Sequence, residues 1–177
     1  MDNHQLTRLL NDAEGVLSPD QARDIEVVYQ RLKKIARGQR FKIRGTGVNT
    51  TMLVNEAWIK SQNESRTFND RQHFFAYCAL AMRHILINEA RRNRLVTYCG
   101  DSGDYEQAVF KESDYLLDLE THLKQLRAYD ERLEQVFVYK FFGDMEFSDI
   151  GEVLGTSERT VFRDWKKARA MLAAAMQ

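Results

Sequence analysis

Apolar residues recur along most of this chain at three- and four-residue intervals, the period of helices with one buried side. From Asp20 to about Arg40 the stripe is Ile25, Val28, Tyr29, Leu32, Ile35 and Ala36. Lys33, Lys34, Arg37 and Arg40 crowd its C-terminal end, where the helix dipole favours cations. Gly45-Thr46-Gly47 breaks the pattern, and Asn49 or Thr50 can cap a second helix, Thr51 to about Ser61, with Leu53, Val54, Ala57 and Trp58 apolar. Gln62 to Asp70 reads as a polar loop. A third, long helix is predicted from about Arg71 to Arg94, with Phe74, Phe75, Tyr77, Cys78, Leu80, Ala81, Ile85, Leu86 and Ile87 among its apolar positions. The stretch from Val96 to about Asp114 has Gly, Ser and acids without clear period and reads as a linker. Helix resumes near Leu116 and runs to about Tyr129, and another covers Glu131 to Phe142 with Leu133, Val136, Phe137 and Phe141 on one face. With one proline, Pro19, and no alternation that reads as a strand, the fold class is all-α.

The last thirty residues carry the strongest functional signal. Ser148 to Leu154 reads as a short helix capped by Ser148, with Ile150, Val153 and Leu154 facing a core. Gly155 follows, where a left-handed residue ends a helix, and Ser157 is placed to cap the next one. Val161, Trp165, Ala168 and Leu172 form the buried stripe of that second helix. Arg159, Thr160, Arg163, Lys166 and Lys167 fall mostly on the other face. This is the pattern of a helix-turn-helix, whose second helix meets base edges with its N-terminal residues. Arg159 and Arg163 are the expected base contacts, and Lys166 and Lys167 the expected phosphate contacts. The alternative is a helical hairpin with a solvated basic face.

Charge sharpens the organisation. The net charge of zero hides a block, residues 31–94, with fourteen basic and four acidic side chains. Residues 95–120 hold one basic and seven acidic ones. A basic block is the usual footprint for a polyanion. The layout predicts two small helical domains, 1–95 and 115–177, joined by a flexible acidic linker over 96–114. No apolar run approaches the ~20 residues that span a membrane, and the acidic, amphipathic start is not a signal peptide. A cytoplasmic protein is expected. Cys78 and Cys99 have no ligand-spaced partners, so neither zinc nor a disulfide is expected. No Gly-rich phosphate loop, metal cluster or nucleophile–base pair appears, and no enzyme activity or cofactor is expected.

Three segments in order, TMLVNEAWIKS, FNDRQHFFAYCALAMRHILINEARRNR and FSDIGEVLGTSERTVFRDWKKARAML, resemble the extracytoplasmic-function (ECF) branch of bacterial sigma factors. The match spans nearly the whole chain, and LVNEAW and ERTVFRDWKKAR are its most specific parts. The resemblance implies a protein that binds core RNA polymerase in its clamp region, directs it to promoters and helps open the DNA. The first domain would bind polymerase through Leu53, Asn55, Glu56 and Trp58. It would recognise and melt the −10 element through Arg66, Thr67, Phe68, Asn69, Arg71, Arg83, Arg91 and Arg92. The second would read the −35 element through Glu158, Arg159, Thr160, Arg163, Lys166 and Lys167, and the linker would run through the polymerase near the template strand and RNA exit path. Phe74, Phe75 and Tyr77 have a competing role in core packing, and His73 and His84 read as hydrogen-bonded surface residues.

One departure from the family pattern stands out. Many members carry acidic residues just before the LVxE stretch, where they contact the polymerase clamp. Here those positions read Thr50-Thr51-Met52. Missing negative charge weakens binding to a basic partner, and a phosphothreonine restores about −1.5 to −2 charges. Thr51, and failing that Thr50, is therefore a candidate phosphosite for a Ser/Thr kinase; the competing role is simple capping. An anti-sigma factor is a further candidate partner. The runner-up function is a stand-alone helix-turn-helix regulator that acts without polymerase.

Overall fold

The structure is a computed structural model that describes residues 18–43, 47–63, 68–97 and 104–176. All regular structure among them is helical: α1 (Pro19–Lys42), α2 (Thr50–Asn63), α3 (Arg71–Thr97), α4 (Asp104–Tyr129), α5 (Glu131–Phe141), α6 (Phe147–Leu154) and α7 (Glu158–Ala175).

Local chemistry sets several of the boundaries. Ser18 and Gln21 form a reciprocal capping box at the start of α1, with Pro19 in the first turn, where its missing N–H costs nothing. Asn49, not Thr50, caps α2: its Oδ1 accepts the Met52 N–H at 2.8 Å. Asp70 caps α3 by accepting the His73 N–H at 2.9 Å, and its other oxygen meets the His73 ring at 2.9 Å. Burial pushes the Asp70 carboxyl up, but these His73 contacts outweigh it and hold the group below its usual range. Asp130 caps α5 by accepting the N–H groups of Arg132 and Leu133.

Helix α4 corrects the expected resumption of helix near Leu116. It begins at Asp104, so residues 104–114 of the expected linker are helical. Density of acidic side chains breaks no helix by itself, and Glu, Gln, Ala and Lys are all good formers. The rest of the expected linker's centre, 98–103, lies outside the described residues.

The halves on either side of α4 share a core. One cluster runs from Leu32, Ile35, Leu53, Phe74 and Leu86 through Leu119 and Leu123 to Leu133, Phe142 and Leu172. Polar ties cross the same seam. Gln39, fully buried, donates to the carbonyls of Ala79 and Phe142, each at 3.0 Å. Arg31 donates to the Asp144 carbonyl at 2.9 Å, and Lys42 to that of Phe141. A smaller cluster of Ala76, Val136, Tyr139, Met145, Ile150 and Val161 seats α6 and α7. No helix among the described residues is long and apolar enough to cross a membrane.

Candidate nucleic-acid interface

The geometry of the last two helices begins with glycine. Gly155 takes a left-handed conformation at φ 62° and donates to the Glu152 carbonyl, while the Thr156 N–H reaches the Gly151 carbonyl at 2.9 Å. This pair of bonds is a Schellman ending, which satisfies the Gly151 and Glu152 carbonyls at the end of α6. Gly151 is needed for a different reason: a Cβ there would lie 2.7 Å from the Thr156 carbonyl oxygen. Ser157 then caps α7, its Oγ accepting the Thr160 N–H at 3.2 Å. The expected cap at Ser148 is a correction. Helix α6 begins one residue earlier, at Phe147, with Glu146 as a cap residue whose side chain makes no capping bond.

Helix α7 is held at a fixed roll by three kinds of contact. Val161, Ala168 and Leu172 are buried. Trp165 stacks on Phe137 at 5.4 Å, and Phe137 stacks on Phe141 at 5.1 Å. Asp164 is buried and takes a 2.8 Å bond from Arg132 Nε of α5. With that side packed, Glu158, Arg159, Arg163, Lys166 and Lys167 are all exposed. Thr160 is only half-exposed, and its hydroxyl lies 2.9 Å from that of Ser157, so it belongs to the cap. Lys167 leans over the Tyr129 ring at 5.2 Å, away from the centre of the stripe. Sequence reasoning missed one member of this face. Phe162 is 43% exposed between the arginines; the signal was its position three residues after Arg159 and four before Lys166.

The longer helix α3 treats its cations differently. Arg71, Arg91 and Arg92 are exposed, and Arg92 pairs with Glu89 at 3.4 Å. Arg83, expected on the phosphate backbone, is a correction. It is 4% exposed, donates to Glu134 at 3.2 Å and pairs with Glu120. Burial pushes the Glu134 carboxyl above its usual range, and the Arg83 guanidinium pulls it back. Phe68, expected to meet DNA, is also a correction: its ring is buried edge-on against Phe74 at 5.2 Å. Asn69 beside it is exposed, while Arg66 and Thr67 lie outside the described residues. Of the aromatic trio in α3, Phe74 and Phe75 are buried and Tyr77 half-buried.

On α2 the expected polymerase contacts split by face. Asn55 and Glu56 are exposed, together with Ile59 and Met52. Leu53 is fully buried and so corrected to a core residue, and Trp58 is half-buried, edge-on to Phe74 at 5.8 Å. Thr51 is exposed. Thr50 is half-buried, and its hydroxyl takes a 3.0 Å bond from Arg40 Nη1 of α1. The described residues hold no cluster that could bind a metal ion. Cys78 is buried, which pushes its thiol far up and leaves it inert.

A protein-family model described as ECF sigma factor matches residues 4–177. No curated protein and no solved structure matches the chain.

Proposed function

The chain belongs to the ECF sigma factor family, and we propose that it divides promoter recognition between α7 and the ends of α3. As a sigma factor it is a non-enzymatic transcription initiation factor that works with core RNA polymerase and promoter DNA. The finer reading assigns the upstream, −35 element to α7. Arg159 and Arg163 meet base edges, and Lys166 and Lys167 meet phosphates. The single observation that carries this is the exposed basic face of α7, rolled outward by the buried Asp164 and the Trp165 stack. The downstream, −10 element falls to Asn69 and Arg71 at the N-terminal end of α3, and to Arg91 and Arg92 near its C-terminal end. The polar segment with Arg66 and Thr67 precedes them in the sequence.

The exposed side of α2, through Asn55 and Glu56, is the surface for the polymerase clamp. Phosphorylation of Thr51, or of Thr50, is the proposed control. Two observations support it. Asn49 already caps α2, so capping does not require either threonine. Arg40 already donates to the Thr50 hydroxyl, and a phosphate there would gain charge-assisted bonds at a helix N-terminus.

In vitro transcription with purified core polymerase tests the reading. The chain should direct initiation from a discrete start site. Thr51→Glu, or kinase-treated wild type, should outperform Thr51→Ala in polymerase pull-down and in transcription. Equal binding and transcription by all forms removes the switch but leaves the sigma role intact. A chain that binds an operator yet never captures polymerase would favour a stand-alone regulator.

A further inference from the structure

Helix α7 exposes a phenylalanine in the middle of a cationic stripe, and the fold does not leave it loose. Arg159, Phe162, Arg163 and Lys166 stand at i, i+3, i+4 and i+7, one contiguous face. The Phe162 ring packs edge-on against Phe147 of α6, with centroids 5.4 Å apart at 71°. Phe147 is in turn covered by Lys140 Nζ at 4.7 Å, and that lysine is tied to the Met145 carbonyl at 2.8 Å. Lys166 sits 4.4 Å above the Phe162 ring. One edge of the ring is therefore seated, and the remainder faces outward between cations.

A protein core is a poor cover for such a ridge, because it would bury the flanking charges with the ring. The major groove of DNA matches it: phosphates on both sides, and among the bases one apolar group, the thymine 5-methyl, which phenylalanine can contact. We propose that Phe162 reads a thymine methyl group in the upstream promoter element and is a specificity-determining residue of α7. The inference rests on the assignment of that element to α7. The arginines supply hydrogen bonds to neighbouring bases, Lys166 supplies phosphate charge and orients the ring, and Phe147 holds the ring at a fixed height.

The test uses the full chain with core polymerase and a promoter selected by transcription from a library randomised in the upstream element. Each thymine of the selected element is replaced in turn by deoxyuridine, which lacks only the methyl. One replacement should weaken wild-type binding by about fourfold, the worth of one buried methyl. Phe162→Ala should bind the thymine and deoxyuridine duplexes equally, whereas Phe162→Leu should keep part of the discrimination. Thermal unfolding of both variants within a few degrees of wild type keeps folding out of the comparison. The proposal is overturned if the selected element contains no thymine, if no replacement affects wild type, or if Phe162→Ala discriminates as well as wild type. A chain that supports no promoter-directed transcription would instead sink the assignment on which the proposal stands.

Discussion

Helices α3 and α7 both carry arginines along their length, yet α7 turns Arg159 and Arg163 to solvent while α3 turns Arg83 onto Glu120 and Glu134. The difference is set by what lies across each face. Helix α7 buries Asp164, which fixes its inward side and leaves both arginines exposed, with only a loose 3.9 Å ion pair from Arg163 Nε back to Asp164. Helix α3 meets α4 and α5 at its centre, where two carboxylates wait. A buried guanidinium has lost its water and depends on those partners. It is a structural tie between the two halves of the chain, not a contact for a polyanion. The exposed arginines of α3 named in the proposal therefore lie towards its ends, at Arg71, Arg91 and Arg92.

The contrast breaks first at Arg83. Arg83→Ala should cost about 3–5 kcal/mol, because it strands the buried Glu134 carboxylate and the half-buried Glu120. In thermal unfolding that is a drop of roughly 10 °C. The same change at Arg163 should alter stability by no more than about 0.5 kcal/mol. A similar loss at both positions would mean that the two arginines are not differently placed. Gly151→Ala comes next. Its added methyl meets the Thr156 carbonyl, and the overpacking should cost about 1–3 kcal/mol in urea unfolding. Promoter binding should fall with it, since the turn sets the angle of α7.

Arg159→Ala and Arg163→Ala should each weaken binding to a selected promoter by about 1–3 kcal/mol and relax the preferred base at one position. Fluorescence anisotropy on promoter and scrambled duplexes reads both effects. The smallest expected change is at Asp70. Asp70→Ala should cost about 1 kcal/mol at pH 7 through the lost cap of α3. Because the folded carboxyl is held below its usual value, its contribution is present above the unfolded pKa of about 3.9 and disappears as pH falls through the folded value. The gap between wild type and variant should close in acid unfolding experiments. A gap that widens in acid would reverse the assignment.

What the sequence revealed follows the range of the interactions involved. The turn around Gly155 and the cap at Ser157 are local, and the buried stripe of Val161, Ala168 and Leu172 has a helical period, so α7 was legible with its exposed cations. The all-helical class was legible for the same reason. Arg83 was not, because its partners Glu120 and Glu134 lie on other helices and no local pattern places them opposite it. Leu53 and Phe68 depart from expectation in the same direction, both being buried. A family motif marked their segments as interfaces, but the motif does not say which residues of a segment face inward. Helix α4 starts earlier than expected because the stretch up to Asp114 shows no clear apolar period, whereas formers such as Glu, Ala and Lys sustain a helix from Asp104. Phe162 carries little signal on its own, because exposed apolar residues are ordinary one at a time. Only its place among Arg159, Arg163 and Lys166, against Phe147, gives it meaning.

The central claim is that the outward face of α7 reads promoter DNA for a polymerase bound elsewhere on the chain. In vitro transcription with core polymerase tests it most directly, comparing wild type with the combined variant Arg159→Ala, Arg163→Ala, Lys166→Ala and Lys167→Ala. The account predicts that this variant folds, still captures core polymerase in a pull-down and fails to initiate at the selected promoter. Undiminished initiation by the combined variant would contradict it.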